Sequence, residues 1–365
     1  MPMQRKHASR GPWPPSRKLV GGLLALALLA VVAGIVATQL LGPTPPPGTI
    51  TSPATTYAPL PGMSISCTAT DRAVASYGTT SLQTLRTLTV PNYKTYDLRG
   101  TTIVGYPTVN HYPLAFGKRV PGMRTCVLGG TVVGRQNRAL TWQYMKHNLD
   151  GDALNFKSVG GLVDGLRVHN IEDGVGLIGS DPDGLAMRNV YMTYIRDDCI
   201  ENDAVVGLDV QDSLFDGCFM GLSERPGAHA NPSPAPLGEQ TVLDRALVRL
   251  QPMPYDASLA RCGRDGLGTG GFFKWSPYAN HLFVKDSILF AERVPARCGA
   301  VLNFPSNGTY QNVTVVWTGP GNYPGKLPAS GVTVTRDRAV WDNARADWLT
   351  RHGYPVTDPP ATPLG

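Results

Sequence analysis

A short phrase recurs through the middle of this chain and limits the folds open to the whole. It reads GLRVHNI from residue 165, GLAMRNV from 184 and GLDVQDSL from 207. Weaker copies follow: VLDRALV from 242, LFVKDSI from 282 and YQNVTVV from 310. Each copy is an alternating strand closed by Asn, Asp or Arg, then a second apolar run. The first two steps are 19 and 23 residues. A strand-like unit repeating at about 20 residues predicts a solenoid, in which each coil packs only on its neighbours. The expected class is therefore all-β. Inward side chains fill the tube, and function falls to the outward ones.

A second register sits between these phrases: DALNF from 152, DGVGL from 173, DCIEN from 198 and DGCFM from 216, with AVLNF from 300 lacking the acid. Two registers per period require at least two strands per coil. Stacked coils lie about 4.8 Å apart, so Leu154, Val175, Ile200 and Cys218 are expected as an inward ladder. Asn155, Gly176, Glu201 and Phe219 are expected as the outward line beside it. TTIVG from 101 and TVVG from 131 read as early coils. Residues 223–240 and 251–280 are rich in Pro and Gly and read as long loops leaving the stack, walling the outward line near Glu201.

The ends differ from the middle. Residues 1–18 are basic. Residues 19–41 carry no charge over 23 residues, enough at about 1.5 Å per residue to span a hydrocarbon core of about 30 Å. With the flanking positive charge all N-terminal, a transmembrane signal anchor with an extracytoplasmic C-terminal domain is expected; a cleaved leader, giving a secreted chain, is the alternative. Residues 42–62 hold seven prolines and read as an extended linker. Residues 63–336 form the repeat domain. Residues 337–365 contain DRAVWDNARADWLTRH, which sets Trp341, Ala344, Trp348 and Leu349 on one helical face. This helix is expected to cap the end of the tube.

The net charge of +6 misleads, because five basic residues and no acid lie within residues 1–41. The remainder is nearly neutral, which argues against nucleic acid as a partner. The six cysteines show no zinc spacing and suit disulfides in an oxidising compartment. Cys67–Cys126 and Cys262–Cys298 are candidate pairs. Cys199 and Cys218 lie one coil apart, either bridged or buried.

The phrases at 165, 184, 207 and 282, with the Asp-Gly turns between them, resemble the right-handed parallel β-helix proteins of the pectate-lyase-like superfamily, over roughly residues 95–330. The resemblance implies a right-handed parallel β-helix and a polysaccharide ligand. Asp197-Asp198-Cys199 is similar to the Asp-Asp-Cys segment of polygalacturonase-type glycosidases, whose paired aspartates serve as acid and base. The other signatures of those enzymes have no match here: Asp181-Pro182-Asp183 lacks the Asn, and the segment from 216 lacks the His.

Four carboxyl groups, Asp197, Asp198, Glu201 and Asp203, fall within seven residues. Like charges this close raise one another's pKa and can keep one carboxyl protonated beside an ionised one, as glycoside hydrolysis requires. Glu201 and Asp203, two apart on a strand, would share a face. These four are the candidate catalytic residues. Lys157, Arg196, Glu224, Arg225, Lys274 and Trp275 are the candidate substrate-binding residues, with Lys157, Arg196, Arg225 and Lys274 the bases open to a lyase. No cofactor is required, although the carboxylates also suit Ca²⁺. A competing reading assigns Asp152, Asp173, Asp198 and Asp216 to turns, where Asp caps backbone N–H groups. The expected function is binding or cleavage of polysaccharide by a hydrolase or lyase; the alternative is a non-catalytic glycan-binding or structural protein of the cell envelope.

Overall fold

The computed structural model describes residues 74–82, 85–87, 95–105, 112–116, 125–149, 151–156, 161–178, 184–226, 240–256, 266–295 and 302–356. The expected anchor, linker and basic tail lie outside these residues, as do Lys157, Asp181-Pro182-Asp183, Cys67, Cys262 and Cys298.

The chain forms long parallel sheets of stacked strands, an arrangement compatible with a β-helix solenoid. Three strand registers alternate per turn, one more than the minimum expected. The first sheet contains the strands Gly161–Asp164, Leu185–Arg188, Leu208–Gln211 and Gln240–Asp244 in succession. Its inward ladder is Val163, Met187, Val210, Leu243 and Val284, all buried in one apolar cluster. The second face contributes Val132, Val168, Met192, Phe215, Val248 and Leu289. The third contributes Leu114, Leu154, Val175, Ile200, Leu222 and Phe273. Every inward position is apolar because it meets only its equivalents above and below and the two facing sheets.

The turn between the first and second faces explains the recurring phrase. Asn189, Asp212, Arg245, Asp286 and Asn312 all have φ between 39° and 55°, and Gly165 has φ 76°. A left-handed residue costs an ordinary L side chain about 1–2 kcal/mol, least for Asn and Asp, whose side chains bond locally. Asn189 Nδ2 donates to Asp164 Oδ1 (2.7 Å), and Asn312 Nδ2 to Asp286 Oδ1 (2.8 Å), each bond tying one turn to the one before it. This register corrects the repeat. Gly161 pairs with Leu185 and Asp164 with Arg188, so Gly165 matches Asn189. The phrase GLRVHNI therefore belongs half to the turn and half to the next face, where Arg167 pairs with Tyr191.

The second repeated segment also shifts. Val175 pairs with Leu154 and with Ile200, which keeps Asp152, Asp173 and Asp198 in one register. Ile200 then pairs with Leu222 rather than Cys218, which pairs with Ile195 further back along the strand. Asp216 instead faces Thr193. The outward line is Ala115, Asn155, Gly176, Glu201, Ser223 and Lys274; Phe219 is not in it. Cys199 and Cys218 form a disulfide between neighbouring turns, with Cα atoms 5.6 Å apart. Cys126 is also disulfide-bonded.

Both segments expected to leave the stack return strands to it. Leu214–Glu224 runs on through Ser223, and Phe273–Trp275 pairs beside it. Met253–Pro254 and Leu267–Gly268 form the one antiparallel pair among the described strands.

Two helices occur among the described residues: α1, Trp142–Asn148, and α2, Ala339–Arg351. α2 was expected to cap the tube but lies along its flank. Trp341, Trp348 and Leu349 pack on Tyr191, Leu214, Leu247, Phe290 and Val316, outward residues of five successive strands of the second face. That stripe is apolar over several turns and would otherwise meet water, which explains the docking. Arg345 Nε and Arg249 Nε each reach the buried Asp216 carboxylate at 2.6 Å, and Arg351 and His352 reach Asp212.

Candidate functional site

The outward line of the third face runs beneath α1, which is inserted between the strands Thr131–Gly134 and Asp152–Phe156. Thr141 caps the helix, its hydroxyl accepting from the Tyr144 N–H (3.3 Å). Trp142 and Lys146 are four apart and share a helix face. Trp142 Nε1 donates to Asp197 Oδ1 (2.8 Å). Lys146 Nζ stands 3.3 Å from Asp197 Oδ2 and 3.7 Å from Glu172 Oε1. The loop leading into α1 is held by Arg196, a fully buried side chain that donates to the carbonyls of Asn137 (3.3 Å), Arg138 (3.4 Å) and Leu140.

Around this ammonium lie two overlapping trios of acids. Asp152, Asp173 and Glu201 bring carboxylate oxygens within 4.8 Å of one another, as do Glu172, Asp173 and Asp197. Asp173 belongs to both. Its Oδ1 accepts from the Asp198 N–H (2.7 Å), and its Oδ2, fully buried, has no hydrogen-bond partner. Asn155 Nδ2 donates to Asp152 Oδ2. The Gly151 N–H donates to Glu172 Oε2 (2.6 Å). Asp198 is buried and accepts from Lys274 Nζ (2.8 Å).

Burial and Asp198 push Glu201 up to about 8, although Lys146 pulls the other way; Asp203 and Asp152 add to the rise. Burial and Asp197 raise Asp198 to about 6 against the attraction of Lys274. Burial, Glu172 and Glu201 hold Asp173 well above the usual carboxylate range. Burial alone would lower Lys146, but Asp173, Asp197, Glu172 and Glu201 outweigh it and raise it. Burial makes ionisation costly, so the acids compete for few cations.

Asp197 and Lys146 reach the wall of a cavity of about 440 Å³, together with Trp142, Phe219, Tyr255, Arg225 and Lys274. Trp142, Phe219 and Tyr255 are nearly parallel, with ring centroids 5.3–6.0 Å apart and interplanar angles of 5–20°. Three nearly equal distances between parallel rings exclude a column, in which the outer pair would be twice as far apart. The rings instead form a compact cluster of mutually offset faces beside the charges.

The candidate residues divide accordingly. Asp197, Arg225 and Lys274 line the cavity, and Glu201 is on the outward line, separated from Lys274 by Ser223. Asp198 is one step back, engaged by Lys274. Asp203 follows the strand Tyr191–Asn202 in a turn, so it does not share a strand face with Glu201 and acts on it through charge. Arg196 is turned to the loop carbonyls. Glu224 is fully buried and accepts from Thr241 Oγ1 (2.5 Å) and the Asn280 N–H (2.7 Å). Trp275 pairs with Glu224 in register and packs against the core. These three fill the protein rather than face the cavity. Sequence reasoning missed Trp142, Lys146, Glu172 and Tyr255, placed Phe219 only on the outward line, and offered Asp152 and Asp173 a turn role as a competing reading. The Asp173 bond to the Asp198 N–H is such a turn role, yet the same side chain also joins both acid trios.

By donor type the trios suit a hard cation that takes six to eight oxygens. Yet the Lys146 ammonium already lies against Asp197 and Glu172. A metal and this lysine do not fit the Glu172–Asp173–Asp197 trio together.

Comparison with family models, with curated proteins and with solved structures found no match.

Proposed function

We propose that this protein is a right-handed parallel β-helix of the pectate-lyase-like kind, anchored in the membrane by its N-terminal segment, that binds and hydrolyses a polysaccharide outside the cytoplasm. The observation that carries the reading is one pair of carboxyls in unlike settings. Glu201, pushed to about 8, keeps its proton at neutral pH and can give it to a leaving glycosidic oxygen. Asp197, at the cavity wall, takes one hydrogen bond from Trp142 and charge from Lys146, and can accept a proton from water or attack the sugar carbon. Two carboxyls with separate states are what glycoside hydrolysis uses. The Trp142–Phe219–Tyr255 cluster offers apolar faces for pyranose C–H groups, and Arg225 and Lys274 offer donors for hydroxyl or acidic substituents. No step of this reading is routed through a metal.

A second reading, glycan binding without turnover, is favoured by the engagement of Asp198 with Lys274 and of Asp197 with Lys146. Incubation of the full-length chain with acidic and neutral polysaccharides, followed by assay of new reducing ends, separates the two. Hydrolysis predicts product from the native chain, and loss of product in Glu201→Gln and Asp197→Asn chains that remain folded at the assay pH. Retention of a glycan without product in any condition supports the second reading and rejects the first.

A further inference from the structure

We propose that Lys146 is the resident cation of this centre: its ammonium, delivered by α1, stands where a divalent ion would stand in an all-carboxylate site, and removing it opens a Ca²⁺ site that the native protein lacks. The proposal concerns the same residues as the hydrolytic reading, but its test needs no turnover, so either can fail alone.

Four observations carry it. The ammonium lies between carboxylates of successive turns, Glu172 and Asp197, at 3.7 and 3.3 Å. The oxygens of Glu172, Asp173 and Asp197 lie within 4.8 Å of one another, close enough to converge on an ion whose oxygen distances are about 2.3–2.6 Å. Asp173 Oδ2 is buried without a hydrogen-bond partner, so one ligand position is idle while a monovalent amine serves the group. The fourth observation is how the amine arrives. α1 is an insertion between two strands, and the buried Arg196 holds its approach by three carbonyls. Buried carboxylates that lose their counter-ion are strongly unfavourable and recruit another cation or a proton.

The experiment titrates the full-length native chain, Lys146→Met, Lys146→Gln and Lys146→Arg with CaCl₂ by calorimetry. In parallel, Tb³⁺ luminescence is excited through tryptophan, with Trp142 one hydrogen bond from Asp197 as the nearby antenna. Lys146→Met and Lys146→Gln are expected to bind Ca²⁺ at least roughly tenfold more tightly than the native chain, while Lys146→Arg behaves like native. The unfolding temperature of Lys146→Met is expected to fall in EDTA and recover with CaCl₂, and a variant that folds only with CaCl₂ also supports the proposal. Native binding as tight as that of Lys146→Met overturns it. So does a folded Lys146→Met or Lys146→Gln that gains no Ca²⁺ affinity, or failure of both to fold at any CaCl₂ concentration.

Discussion

The carboxylate of Asp152 lies over Gly176, where a side-chain carbon would come within 2.2 Å of Oδ2 and 2.4 Å of Cγ. Asp152 thus fills the gap that the glycine leaves in the outward line between Asn155 and Glu201. The glycine is required by packing rather than by backbone conformation. Gly176→Ala is expected to displace Asp152 and destabilise the fold by about 1–3 kcal/mol, the usual cost of overpacking. Urea denaturation checks the magnitude, and the pH dependence of the variant reports whether Glu201 has felt the displacement.

Arg196 is adjacent in sequence to the acids but acts on the opposite side of the loop. Arg196→Met leaves the carbonyls of Asn137, Arg138 and Leu140 without their donor, at about 1–3 kcal/mol for a buried orphan acceptor. The loss should be local. Amide exchange in α1 and its approach should accelerate far more than exchange in the strand Leu208–Gln211, and equal protection in both regions would count against the pinning role.

Glu201 sets a direction for pH dependence. Its folded value, about 8, lies above the ordinary 4.5, so the native state binds more protons than the unfolded chain between these limits. The stability it contributes is fully present below about 4.5 and is lost as pH rises toward about 8. Asp198 adds a slope of the same sign between 3.8 and about 6. The unfolding temperature should therefore fall across this window, and Glu201→Gln should flatten its upper part. Any hydrolysis should decline on the alkaline side as Glu201 loses its proton.

Asp216 is buried between two guanidinium groups, Arg249 and Arg345. Asp216→Ala strands both, whereas Arg345→Ala leaves the Arg249 pair intact. The first change is expected to cost about 3–5 kcal/mol and the second less. Limited proteolysis should cut α2 earlier in Asp216→Ala than in the native chain.

The Cys199–Cys218 bridge closes a short loop across neighbouring turns beside Asp198. Its replacement by two alanines should remove about 2–4 kcal/mol of stability, with the mechanism of that loss dependent on the unfolded chain. Comparison of native and doubly substituted chains in denaturant, without reductant, measures it.

Much of the architecture was legible because stacking repeats local chemistry. The residues that close the first face, Asn189, Asp212, Asp286 and Asn312, share a left-handed backbone, and that need writes itself into the sequence at each turn. Gly165 misled for the same reason: glycine serves both as turn residue and as strand opener, so the phrase beginning there was aligned one face late. Asp216 does not extend the ladder of Asp152, Asp173 and Asp198 because it lies on the second face, opposite Thr193, and the spelling DGCFM, so close to DGVGL, does not mark the change of face.

For α2 the amphipathic face was readable but not its destination. Trp341, Trp348 and Leu349 would suit any apolar surface. The choice of flank over end rests on Tyr191, Leu214 and Phe290, which become a stripe only when their strands are stacked.

By itself the sequence determined that the chain stacks in short strands, with Leu154, Val175 and Ile200 on one ladder and Asn155, Gly176 and Glu201 on the line beside it. Those are consequences of period and alternation, which act between near neighbours in the repeat. Only the tertiary structure decided what surrounds these residues. Lys146 and Trp142 arrive on an inserted helix, and Phe219 and Tyr255 join Trp142 from turns far along the chain. The spacing of Trp142, Lys146 and Tyr255 has no period, because they lie outside the repeating strands and are held by contacts rather than by the rhythm of the stack.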